Sequence, residues 1–230
     1  MHLPSLLVNE PLSTPPPRDR VRVRRLPELA VTERHDVVAL LDRSSLCHVG
    51  LVTDGQPFVI PTLYARMGDE LVLHGSVASR LVRHVRSGDP ICVTVTEVDG
   101  LVLARSAFET SMNYRSVVVL GTGREVTDAG ERLAALRAIS ESVLPGRWDD
   151  VRPPDDTELR RTMVVAVAID QCSAKVSTGH PEDPEHEWEL PMWAGRVPLR
   201  STAGVPEPSP DLRAGIEVPD YLQAWVDDRR

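Results

Sequence analysis

Apolar and polar residues fall in short blocks separated by turn signals over most of the chain, a rhythm that predicts strands more often than helices. Ser45–Thr53 and Pro57–Tyr64 flank Asp54-Gly55, a strong hairpin signal. Glu70–Gly75 follows the turn at Met67-Gly68-Asp69 and leads into a predicted helix over Ser76–Arg86, with Val77, Leu81, Val82 and Val85 at helical spacing. Ile91–Val98 and Leu101–Ala107 read as two strands around Asp99-Gly100. Tyr114–Thr127 reads as another, broken by Gly121 and Gly123, and Met163–Asp170 closes the set. Thr32 caps a predicted helix through Leu41, and Gly130–Leu144 carries Leu133, Leu136, Ile139 and Val143 before Pro145-Gly146 stops it.

About seven strands joined mostly by tight turns leave no room for parallel crossovers. The pattern therefore predicts a mainly β chain with flanking helices, built as an antiparallel barrel. Val117-Val118-Val119-Leu120 and Met163-Val164-Val165-Ala166-Val167 are apolar on both faces, and a subunit partner is the expected outer cover. Residues 1–19 hold five prolines and read as an N-terminal arm, 20–200 as the domain, and 201–230 as a C-terminal linker and tail.

At 230 residues and 41% hydrophobic, the chain can bury a full core. Its net charge of −8 disfavours nucleic acid or an anionic membrane as the main partner. No apolar run reaches the ~20 residues that span a bilayer, and the first residues lack a secretory pattern, so a cytoplasmic location is the expectation. Cys47, Cys92 and Cys172 are odd in number and far apart, which favours free thiols over a disulfide or metal site.

Five segments in order carry a resemblance: Pro57-Phe58-Val59-Ile60-Pro61-Thr62-Leu63-Tyr64, Leu73-His74-Gly75-Ser76 with Ser79-Arg80, Asn113-Tyr114-Arg115-Ser116-Val117-Val118-Val119-Leu120-Gly121, Ser173-Ala174-Lys175-Val176, and Trp193-Ala194-Gly195-Arg196-Val197-Pro198-Leu199. Over roughly Val21 to Arg200 the chain resembles the flavin-binding split barrels of the pyridoxamine 5′-phosphate oxidase-like family, in particular the branch with the nitroimidazole-resistance proteins. The resemblance implies a six-stranded antiparallel split β-barrel, a homodimer, and FMN in clefts at the subunit interface. It places the phosphate near Ser76, Ser79 and Arg80, where many relatives carry Lys at the last position. It lays Val59, Ile60, Pro61 and Thr62 along the ring edge, beside Leu73, His74 and Gly75. Tyr114, Arg115 and Ser116 approach from elsewhere in the cleft, and Trp193 packs over the site as a mobile element.

His74 ends a strand before Gly-Ser and is the candidate catalytic residue, facing a small-molecule substrate. His48 and His84 read as structural or solvated. His180 and His186 lie in an acidic, proline-containing loop that fits no metal motif. Tyr64 suits core or cofactor wall, and Lys175 is expected after the last barrel strand, toward the pocket mouth. The expected function is an FMN-dependent oxidoreductase passing hydride or electrons to a small acceptor. Two alternatives stay open. A deazaflavin F420 reductase would call on Arg80, Arg83, Arg86 and Arg115, and a non-catalytic flavin- or haem-binding protein would need an axial ligand such as His74.

Overall fold

The computed structural model describes residues 20–230, so the expected N-terminal arm lies outside the described residues. The elements run β1 (Ala30–Val31), α1 (Arg34–Leu41), β2 (Leu46–Thr53), β3 (Gln56–Met67), β4 (Glu70–Ser76), α2 (Arg80–Arg86), β5 (Pro90–Leu103), β6 (Ser111–Thr122), β7 (Arg124–Glu125), α3 (Ala129–Val143), α4 (Asp156–Arg161), β8 (Thr162–Ala168), β9 (Cys172–Ser177), β10 (Gly195–Pro198) and α5 (Asp220–Asp227). Every pairing is antiparallel. The order β6-β5-β2-β3-β4-β8 supplies a six-strand barrel, with β9 and β1 extending one edge. The two ends of that path meet where Gly121 approaches the side chain of Val167.

The hairpin signal at Asp54-Gly55 is realised with both residues at positive φ, 52° and 75°, as a type I′ turn requires. Asp99-Gly100 is different. β5 runs straight through it, with a register shift between Val98 and Gly100 marking a bulge instead of a turn. The reason is a close approach: a Cβ on Gly100 would stand 2.7 Å from the carbonyl of Val197, because β10 pairs there. A glycine next to aspartate signals a turn and a bulge equally well.

Valine, leucine and isoleucine from alternate strand positions fill the barrel, and α1 plugs one end with Val37 and Leu41. Tyr64 is fully buried and donates its hydroxyl to the carbonyl of Leu41 at 2.5 Å, which makes it a core residue. Met163–Val167 is buried throughout, but its outer cover belongs to the same chain. Val164 and Ala166 pack with Ala65, Val72 and Val126 beneath Ala135 and Ile139 of α3. The amphipathic helix thus takes the place the sequence pattern assigned to a partner on this strand. Val118 and Leu120 remain half-buried.

Two late elements exceed the expectation. Lys175 lies within β9, opposite Ser116, with its ammonium donating to the carbonyl of Arg25. The C-terminal stretch ends in helix α5. Among the described residues no helix is long and apolar enough to cross a membrane.

Candidate functional site

Helix α2 begins four residues later than the sequence predicts. Ser76 ends β4, and α2 starts at Arg80 with Ser79 as its N-cap, whose hydroxyl accepts from the Val82 N–H at 3.2 Å. The Ser76 hydroxyl accepts from the Ala78 N–H. The approach at Gly75 is close, since a Cβ there would meet the Ser79 hydroxyl at 3.2 Å. Arg80 is exposed and places its guanidinium 3.6 Å over the ring of Phe58 on β3. Ser76, Ser79 and Arg80 are therefore gathered at one end of the barrel, beside β3.

Along β3 the side chains alternate. Phe58 and Ile60 pack against the barrel core, whereas Val59, Pro61 and Leu63 point outward and are exposed. The backbone pairs on one side with β2 through Val59–Thr62 and on the other with β4 from Tyr64 onward. Leu73 is buried in the core and Gly75 half-buried.

Tyr114, Arg115 and Ser116 sit on β6, three places along the sheet from β3, about 14 Å at ordinary strand spacing. Through the contact of Gly121 with Val167 of β8, β6 is also two strands from β4 in the other direction. Arg115 is engaged by Asp99 at 3.1 Å and Glu97 at 3.6 Å. Arg86 is likewise held by Glu125. Trp193 is 67% exposed, with its ring against Gly195 at the start of β10. The preceding loop is anchored: the buried Asp183 carboxylate accepts from the Arg105 backbone and guanidinium, both at 2.8 Å. His84 is buried with Nε2 3.0 Å from the Pro90 carbonyl, a structural role.

His74 leads to a second feature. It lies on the outer face of β4, between Val72 and Ser76, and opens on a cavity of about 700 Å³ beneath α3 and α4. The wall is mostly apolar, with Leu63, Leu136, Ile139, Val143, Trp148 and Leu159 among its residues, and Arg147 and Arg152 stand at it. The Nδ1 atom of His74 is buried without a hydrogen-bond partner, and burial lowers its pKa, which favours the neutral ring. A buried imidazole nitrogen left unpartnered costs free energy, and the ring that carries it belongs to a residue of the cavity wall. Arg152 is held by both oxygens of Glu158, whose pKa is lowered to about 2 mainly by that contact. Arg147 has looser partners, the Tyr221 hydroxyl at 3.2 Å and Asp150 at 3.4 Å.

The family model for pyridoxamine 5′-phosphate oxidase matches residues 33–176, more than half of the chain. The chain belongs to this family. Among solved structures it is similar to the flavocytochrome Anf3 from Azotobacter vinelandii, at 38% identity and a TM-score of 0.85, with 90% of this chain and 96% of that one covered. It is also similar to an FAD- and haem-binding protein from Mycobacterium smegmatis, at 38% identity and a TM-score of 0.81, with 86% and 97% covered. A protein assigned to 5-nitroimidazole antibiotic resistance, from Bacteroides thetaiotaomicron, shares the fold at 22% identity and a TM-score of 0.54, with 64% and 86% covered. No curated protein matches the chain.

Family membership accounts for the split barrel, and the 38% identical structures extend the likeness beyond residue 176. Apart from Leu63, the surroundings of His74 lie outside the segments that carry the resemblance. Arg147, Trp148, Arg152 and Leu159 come from the segment between α3 and β8, which carries no strand pattern. A usable signal was there: two arginines and a tryptophan directly after a helix whose apolar stripe includes Leu136, Ile139 and Val143.

Proposed function

We propose that the protein is a flavin- and haem-binding redox protein, in which electrons pass through the two cofactors to or from a small acceptor. The observation that carries this reading is the mostly apolar 700 Å³ cavity that His74 lines, with Arg147 at its edge. The residues there fit a haem. The walls suit a broad apolar ring, a neutral imidazole suits an iron ligand, and Arg147 suits an anionic edge. His74 would be the axial ligand, and Leu63, Leu136, Ile139 and Trp148 would exclude water. The identity to two proteins described as a flavocytochrome and as an FAD- and haem-binding protein supports the same pair.

The β4–α2 junction fits the phosphate of a flavin nucleotide, FMN or the larger FAD. Arg80 offers a guanidinium edge while its face rests on Phe58, and Ser76 and Ser79 set the turn. Val59–Thr62 would flank the ring. The reading includes a homodimer. A second copy on the outer β2–β3 face, where Val52 and Val59 are 55% and 68% exposed, would bring its own Tyr114 and Ser116 toward the cleft. Flavin supplies hydride and single-electron chemistry when bound, and haem single-electron chemistry at iron. The F420 reading loses support because Arg86 and Arg115 already have acidic partners.

An absorption spectrum of the purified protein, with mass analysis of the released cofactors, tests the proposal. The absorption bands of flavin together with a sharp haem band are expected. A flavin spectrum that haemin titration leaves unchanged would remove the haem half.

A further inference from the structure

We infer that Tyr221, on the C-terminal helix, is a positioning residue that holds Arg147 ready for the anionic edge of the cavity's ligand. This rests on the haem reading above.

Arg147 is fixed at two levels. Its backbone neighbours are tied to α3: the Glu141 carboxylate accepts from the Gly146 N–H at 2.7 Å and from the Trp148 N–H at 2.9 Å. Its guanidinium is tied to α5. The Tyr221 hydroxyl accepts from Arg147 Nη1 at 3.2 Å and donates to Asp150 Oδ2 at 2.8 Å. The hydroxyl thus stands between the cation and the carboxylate, whose direct separation is 3.4 Å. Without it, Asp150 has an open acceptor site and the guanidinium can close onto it as a tight ion pair, as Glu158 already holds Arg152.

The site is shaped to receive the tyrosine. Gly146 has φ +87°, a left-handed conformation that disfavours other residues, and a Cβ there would press on the Tyr221 ring at 3.3 Å. Helix α5 is itself seated through buried Val226, and the Arg229 carbonyl accepts from the Ala203 N–H. A helix outside the barrel thereby reaches a side chain at the cavity.

The full-length protein is loaded with haemin or with haemin dimethyl ester, which lacks the two carboxylates, and ligand loss to excess apomyoglobin is followed. Tyr221→Phe is expected to speed haemin loss roughly tenfold, the size of one charge-assisted hydrogen bond, and to leave ester loss unchanged. Arg147→Ala should do the same, and Tyr221→Phe added to it should have no further effect. Arg147 is exposed, so this variant keeps the test open should Tyr221→Phe fold poorly. Equal acceleration of both ligands, additive effects, or no effect of either variant on haemin loss overturns the inference while leaving the haem reading intact. Wild-type protein that takes up neither ligand overturns both.

Discussion

The guanidinium of Arg80 lies flat over the ring of Phe58, 3.6 Å from its centre. Stacking fixes a long side chain by its face and leaves its N–H edge free, so a charge at the mouth of the β4–α2 junction is oriented before any anion arrives. Arg80→Ala is therefore expected to weaken a phosphorylated flavin by about tenfold to a hundredfold while riboflavin changes little, because charge-assisted hydrogen bonds to phosphate contribute roughly 1.5–3 kcal/mol. Fluorescence titration with FMN, FAD and riboflavin reads the difference. Equal weakening of all three would move Arg80 away from the phosphate.

Gly100→Ala tests the bulge in β5. The new methyl group would sit 2.7 Å from the Val197 carbonyl, and the least costly relief is for β10 to lift away, a local loss of roughly 1–3 kcal/mol. Trypsin cleavage after Arg196, on β10, should then speed up several-fold with little change in the melting temperature. Unchanged cleavage would mean that the carbonyl yields instead.

Most of this fold could be read from short-range pattern, because β2, β3, β4 and their turns are set by alternation and by glycine at positive φ, both local properties. What stayed hidden depends on distant partners. At Asp99-Gly100 the close approach comes from β10, which arrives some hundred residues later, and β9 is too polar in Ser173 and Lys175 to stand out before its pairing with β6 is known. At the site, His74 and Arg80 could be read as candidates from the strand end and helix start. Arg147 and Tyr221 could not, since nothing local links residues 74 apart in sequence.

Cys47 is fully buried, and burial pushes its thiol up to about 12 from an ordinary value of 9.0. Between those pH values the unfolded chain releases a proton that the native chain keeps, so stability falls as pH rises above about 9. Tyr64 is shifted upward by burial too and adds to the same decline. Urea midpoints measured against pH should fall less steeply for Cys47→Ala than for the wild type, even where the variant is less stable overall. Parallel curves would remove Cys47 from the alkaline transition.

Light scattering at micromolar concentration is expected to give twice the chain mass of 25.4 kDa. Val59 is 68% exposed at the centre of the proposed contact, and Val59→Glu should halve the observed mass and lower flavin affinity together, since each cleft would draw residues from both copies. A monomeric wild type with flavin bound would refute the shared cleft.

His74 sets cofactor binding against stability, and the two should move in opposite directions. In the chain without haem its Nδ1 is buried and unpartnered, a state that costs about 1–3 kcal/mol for a polar group. His74→Leu removes that cost and fits the apolar wall formed with Leu63, Leu136 and Ile139, so the cofactor-free variant should unfold at higher urea, by about 1 kcal/mol. The same change removes the proposed iron ligand, and haemin affinity should drop by at least roughly a hundredfold, equivalent to about 2.7 kcal/mol. Flavin occupancy, from the ratio of flavin to protein absorbance, should stay near the wild-type value, because the junction at Ser79 and Arg80 is untouched. Urea denaturation, haemin titration and that ratio are read on one preparation. A variant that is less stable and binds haemin as before would show that His74 is a packing residue and not the iron ligand.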